Sequence, residues 1–307
     1  MPQKLIHDKF AKELFSQREL AVEFLKAYLP SPLLNYIDIE SIVNANTSYL
    51  STKLKETFSD VVWNVQTNDG SDLQISLLLE HKSYKDPKVV FQVLEYLANG
   101  YQQQLKNKSQ IKLIVPLIYY HGKERWELKA LSSYFENYEA VVQQYVPNYE
   151  NIFINLHQMP SAQIMNLRNG MLRSALLIQQ NCTDAEELMK NIGQIFQSLN
   201  PYLEQNFIDT IFVYLVQVLD TDKATLVNKL VETSQTINEK IMSIYDQLIQ
   251  EGRTEGRTEG IEIGIEKGIE KTILNAFANQ IPLETIRLIT GETLEKIEDI
   301  LQKNGRK

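Results

Sequence analysis

Two runs rich in β-forming residues, DVVWNVQT at 60–67 and DLQISLLLEHK at 72–82, are separated by Asn68-Asp69-Gly70-Ser71, and no other feature constrains the fold as tightly. An Asp-Gly step between such runs predicts a β-hairpin. Period-two alternation divides each run into faces. Val61, Trp63 and Val65 with Leu73, Ile75, Leu77 and Leu79 are apolar, whereas Asp60, Val62, Asn64 and Gln66 with Gln74, Ser76, Glu80 and Lys82 are the more polar set. A two-residue loop would pair 60 with 79 and send Asp60 and Glu80 to opposite faces. A three-residue loop with glycine in a left-handed bulge shifts the register by one and unites them. Only the second matches polar to polar, so Asp60 and Glu80 are expected to converge, with Lys82 beside Glu80.

The flanking segments extend this hairpin into an α/β core over residues 1–155. Residues 3–30 read as one helix, with Phe10, Leu14, Leu20, Phe24 and Leu25 at helical spacing and Pro30 and Pro32 stopping it. Asp86-Pro87 starts a second helix that runs to about Leu105. IKLIVPLIYY at 111–120 reads as a strand, with Pro116 marking an edge or a bulge. Residues 156–250 carry helical periodicity without β-type alternation, a helical region for structure or partner contact. Residues 251–307 begin with EGRTEGRTEGIEIGIEKGIEK, whose glycines recur every four residues from Gly252 to Gly268. As a helix this segment loses roughly 1 kcal/mol per glycine against alanine, and Glu251, Glu255 and Glu259 form a like-charge column. Two readings stand: a helix stabilised by close packing on another copy of the chain, or a low-complexity linker. Two short helices around Gly291 finish the chain. Their exposed Glu292, Glu295, Glu298 and Asp299 fit a packing unit better than a DNA-reading helix.

Composition removes several classes. Of 307 residues, 43% are hydrophobic and 23% charged, as in ordinary globular proteins. No apolar run is long enough to span a membrane, and the start lacks the apolar core of a signal peptide, so a cytoplasmic protein is expected. The single cysteine, Cys182, excludes a CxxC site, and His7, His81, His121 and His157 never fall in HxH or HxxxH spacing, which argues against a His-rich zinc site. Neither a GxxxxGK[ST] phosphate loop nor a GxSxG elbow occurs. The net charge of −8 conceals a basic stretch: Lys82 to Lys129 hold nine basic residues against four acidic ones, while 131–250 hold six against thirteen. Such a stretch supplies phosphate contacts when it borders a site.

Two converging carboxylates suit a hard cation, which takes oxygen ligands. A lysine beside them can orient water or offset charge developing on a phosphate. Gln92 and Tyr96, four residues apart on the following helix, can face the same place. Asp, then about twenty residues, then Glu-x-Lys resembles the signature of the PD-(D/E)XK nuclease superfamily, and the following Gln-x-x-x-Tyr resembles the fourth motif of its RecB-like branch. More narrowly, HDKFAKELF, FSDVVW, LLLEHKSYKDPKVVFQVLEY, IVPLIYYHG and the EGxxEG tail resemble the recombination-promoting nuclease (Rpn)/putative transposase family.

That resemblance implies a PD-(D/E)XK restriction-endonuclease-like core, a helical C-terminal half, and a Mg²⁺-dependent DNA endonuclease, with Mn²⁺ or Ca²⁺ as alternative ions. By position, Asp60 and Glu80 would hold the metal with the backbone carbonyl of His81. Lys82 would act on the attacking water, supported by Gln92, and Lys85, Lys88 and Tyr96 would contact DNA. His7-Asp8 matches the N-terminal His-Asp of the family, with helix capping and catalysis both open as roles. Ser59 stands where the superfamily pattern has proline. Two rival functions remain: a non-catalytic interaction protein acting through its C-terminal half, and an RNA-cleaving nuclease with the same site. The expected partners are DNA and a second copy of the chain joined through the glycine-repeat helix, with no membrane.

Overall fold

The computed structural model describes residues 3–44, 61–69, 75–108, 110–202, 207–218, 228–229 and 235–305, and for 75–81 the strand without its side chains. The chain forms two compact units, Met1–Ile244 and Tyr245–Lys307.

The first unit is built on one mixed sheet in the order β1-β2-β3-β4-β5, comprising β1 (Ile37–Asn44), β2 (Val61–Thr67), β3 (Ile75–Lys82), β4 (Leu113–Tyr120) and β5 (Ile152–Asn155). β2 and β3 are antiparallel, with Val61 opposite Leu79 and Val65 opposite Ile75. This is the register that polar-to-polar matching selects. Its consequence on β2 is direct: Val61, Trp63 and Val65 are buried, while Val62 and Asn64 are half-buried and Gln66 is exposed. β1, whose Ile37, Ile39 and Ile42 are buried, adds an antiparallel edge that the sequence reading left out. β3 and β4 are parallel from Ile75–Leu113 through Lys82–Tyr120, joined by a crossover that contains α4 (Val89–Lys106). The register passes Pro116 without a shift, so no bulge forms there. Pairing of β4 with β5 starts one residue later, at Leu117–Ile152, and Pro116 sits where β4 is flanked on one side only.

Helices cover both faces. The N-terminal segment is two helices, α1 (Gln3–Ser16) and α2 (Arg18–Tyr28), and not the continuous one that its periodicity predicts. Position 18 is one turn beyond Leu14, so a straight helix would carry Arg18 in the apolar stripe. The extended backbone of Gln17 instead releases Arg18, whose Nε donates to the carbonyl of Ile42 at 3.1 Å. α3 (Ser31–Tyr36) leads into β1. Tyr119 meets Phe15 and Phe24 edge-on at 5.2 and 5.5 Å on the α1–α2 side. Tyr120 points the other way, packing with Val89, Val93 and Leu97 of α4 and edge-on to Trp126 at 4.9 Å.

The middle region is helical as expected: α5 (Gly170–Asn181), α6 (Ala185–Gln197) and α7 (Phe207–Val218). It does not stand apart from the sheet, however. The Tyr119 hydroxyl donates to Gln179 Oε1 of α5 at 2.7 Å, and Phe10 of α1 stacks on Tyr214 of α7 with centroids 3.8 Å apart. The boundary expected near 155 is therefore corrected. α5 and α7 supply one wall of the core, and the division falls at 244.

In the second unit the glycine repeat is helical, within α8 (Gln235–Ala278). α8 leads to α9 (Leu283–Thr290) and α10 (Leu294–Lys303). Ile273, Ala276, Ile286, Ile297 and Leu301 form its small core. Gly291, at φ +72°, ends α9 in the left-handed conformation that glycine adopts without strain. A Cβ added at any glycine from Gly252 to Gly268 meets nothing within 4 Å. Gly256→Ala with Gly260→Ala is therefore expected to stabilise this helix by about 1 kcal/mol per site, read as a higher midpoint in thermal unfolding followed by circular dichroism.

Candidate active site

The polar cluster forms where the parallel strands end. Lys82, the last residue of β3, is 5% exposed. Such a charge requires partners, and α4 and its approach provide them. Lys82 Nζ donates to Gln92 Oε1 at 2.9 Å and lies 3.3 Å from Asp86 Oδ2, with the Tyr84 ring centroid 5.9 Å away. Asp86 does two things at once. Its Oδ1 accepts from the backbone N–H of Lys88 at 3.0 Å, and its backbone carbonyl accepts from Val89 N at 3.2 Å, closing the turn that opens α4. The helix consequently begins at Val89, slightly later than the Asp-Pro signal predicts. The carbonyl of Lys82 accepts from His121 N at 3.1 Å and fastens the two strand ends together. Gly122 is needed there, since a Cβ would lie 2.6 Å from the Ser83 carbonyl oxygen and 2.5 Å from the Tyr120 ring.

The predicted residues fare differently. Lys82 and Gln92 are brought together. Asp60 lies outside the described residues, and so do the side chains of Glu80 and His81. Lys85 and Lys88 are exposed at the head of α4. Tyr96 is 2% exposed, on the inward stripe of α4 with Val89, Val93 and Leu97. Asp86 was read only as a helix cap; its i,i+4 spacing from Lys82 was the signal for the ion pair. A cavity of about 570 Å³ lies alongside, lined by Lys85, Arg125, Lys129, Trp126 and Tyr134. The basic stretch thus gathers three cations around one concavity, although Arg125 also pairs with Glu127 at 2.8 Å.

Comparison with known proteins bears on this arrangement. The model of the family described as "Putative transposase, YhgA-like" matches residues 5–207. The chain belongs to this family. Its match runs from α1 to the first residue of α7 and takes in the whole sheet and the Lys82 cluster. Similar proteins include the inactive recombination-promoting nuclease-like protein RpnE of Escherichia coli K12, 28% identical over 292 residues, covering 93% of this chain and 95% of RpnE. Recombination-promoting nuclease RpnA of the same strain is 28% identical over 252 residues, covering 80% of this chain and 84% of RpnA. Recombination-promoting nuclease RpnD of E. coli O157:H7 is 23% identical over 249 residues, covering 79% of this chain and 93% of RpnD. No solved structure matches the chain. No helix among the described residues is long and apolar enough to cross a membrane.

The Lys82–Asp86 pair makes a stability prediction. Asp86→Ala removes one hydrogen-bonded, oppositely charged partner of the buried Lys82 ammonium, and urea unfolding is expected to give a loss of about 1–3 kcal/mol. Adding Lys82→Met to that variant removes the buried charge itself and should recover part of the loss.

Proposed function

We propose that this chain is a metal-dependent DNA endonuclease of the PD-(D/E)XK type that acts in recombination. The observation that carries the reading is a buried lysine at the end of β3, held by Gln92 and Asp86, with Lys85 and Pro87 on either side of Asp86 lining a concavity that also takes in Arg125 and Lys129. The register supports it too. The described pairs run from 65 with 75 to 61 with 79, the register that matching the polar faces expects. The names of RpnA and RpnD, as recombination-promoting nucleases, support it independently.

In this reading Asp60, Glu80 and the His81 carbonyl are the oxygen donors that would hold Mg²⁺, a set suited to a hard cation. When bound, the ion supplies Lewis acidity and charge compensation at the scissile phosphate. Lys82 orients the attacking water and offsets negative charge developing on the phosphate. Gln92 fixes the Lys82 ammonium, and Asp86 keeps it paired in the absence of substrate. Lys85, Lys88 and Lys129 contact the DNA backbone and contribute affinity without sequence preference. We also propose self-association through α8, on which Ile261 and Ile265 are exposed beside the open glycine stripe.

A non-catalytic reading is favoured by one observation: RpnE, similar along nearly the whole chain, is named inactive. Plasmid nicking with Mg²⁺, Mn²⁺ or Ca²⁺ separates the two. The nuclease reading expects nicking by the wild type and a loss of about 10²–10³-fold or more in Asp60→Ala, Glu80→Ala and Lys82→Gln. Each protein must remain folded by circular dichroism. No nicking with any metal would transfer the assignment to the non-catalytic reading, and faster cleavage of RNA than of DNA would change the substrate. Lys85→Ala and Lys88→Ala are each expected to weaken DNA binding uniformly and to lower the salt slope by about one. A light-scattering mass equal to one chain for the full-length protein would remove self-association.

A further inference from the structure

Three residues remote in sequence bring ligand atoms together on the face of the sheet opposite the Lys82 side chain. His7 belongs to α1, His121 follows the last residue of β4, and Cys182 follows the last residue of α5. One donor atom from each lies within 4.8 Å of the others, and all three residues are buried. The two imidazole rings are 4.8 Å apart between centroids, tilted by 58°. Behind them, the Tyr214 hydroxyl of α7 is 2.8 Å from His7 Nδ1. Tyr214 is itself held by its stack on Phe10.

We propose that His7, His121 and Cys182 form a binding site for a borderline-soft divalent transition metal, with Zn²⁺ as the best-matched ion. Two imidazoles and a thiolate are ligands that zinc accepts and Mg²⁺ does not favour. Metal–ligand bonds of about 2.0–2.3 Å put tetrahedral donors about 3.3–3.8 Å apart. Donors already within 4.8 Å of one another need to close by about 1–1.5 Å to reach that spacing. The contact from Tyr214 to His7 is the kind of outer-shell support that orients a ligating imidazole. A cavity of about 330 Å³, lined by His7, Cys182, Tyr84, Lys123 and Glu124, opens at the cluster. It leaves room for water as the fourth ligand, the usual complement of a three-residue zinc site.

Ligation has a defined proton balance. Cys182 Sγ now donates to the carbonyl of Gln179 at 3.2 Å, and burial pushes the thiol up to about 11. Forming the sulfur–metal bond breaks the S–H bond and releases one proton to solvent. The site draws on none of the residues assigned to nucleic-acid cleavage, so it stands or falls independently. The HxH and HxxxH spacing test misses it because the ligands come from three separate elements.

The test is titration of the full-length protein with Co²⁺, followed by Zn²⁺, monitored by absorption. Cys182 is the sole cysteine, so a thiolate-to-cobalt charge-transfer band can come from no other residue, and the oxygen donors at 60 and 80 cannot produce one. The expected result is such a band, saturating at one equivalent and abolished by stoichiometric Zn²⁺. It should be absent in Cys182→Ser, weakened at least tenfold in apparent affinity in His7→Gln and His121→Gln, and unchanged in His157→Gln, whose side chain is exposed. A folded wild-type protein that gives no charge-transfer band would overturn the proposal. So would a band whose affinity in both histidine variants equals that of the wild type. The wild-type titration decides the matter even if a variant fails to fold.

Discussion

The parallel pairing of β3 with β4 is the constraint from which both side-chain clusters follow. Parallel neighbours cannot be joined by a tight turn, so the chain must leave the sheet and return, here by way of α4. That crossover carries Gln92 back over the end of β3. Alternation then distributes the chemistry. Tyr119 and Tyr120 point to opposite faces and both are fully buried, so β4 has no solvent face at this end. Lys82, beside Tyr120, reaches the α4 side, whereas His121 meets His7 on the α1 side. The clusters share a strand end and are divided by the sheet.

Burying Lys82 is costly, and the local sequence offsets that cost economically. An ammonium removed from water loses several kcal/mol of hydration. Asp86 returns part of this as an ion pair, and the same carboxylate satisfies a backbone N–H at the head of α4. The position of the lysine and the start of the helix are therefore one constraint. Gln92 adds a neutral partner that holds the ammonium without a second charge. Such an arrangement contributes little net stability compared with an apolar substitute.

Much of this was legible in the sequence, and the exceptions have physical causes. The β2–β3 register could be read from the alternation of Val61, Trp63 and Val65, because a one-residue slip would expose Trp63. α5 and α7 announced themselves as apolar helices, and Gly291 as the break before α10. β1 escaped because ESIVN reads ambiguously without its partner. The break at Gln17 escaped because period-based reading tolerates one polar residue in an apolar stripe. Gln92 and Tyr96 share a side of α4 but not an exposure: Gln92 reaches Lys82, and Tyr96, a turn further on, is buried. The His7, His121 and Cys182 cluster could not be read at all, since its members meet only once α1, β4 and α5 have packed.

Charge carries the remaining argument about nucleic acid. A net charge of −8 repels a polyanion at long range, but at physiological salt fields fade over about 8 Å. What counts at contact is local. Lys85 and Lys129 line the concavity, as does Glu127, which pairs with Arg125. The acidic excess of the sequence lies in residues 131–250. A polyanion thus gains little from steering by the protein as a whole. In the proposed reading, association with DNA rests on a few lysines acting at short range, an arrangement that favours weak, salt-sensitive engagement.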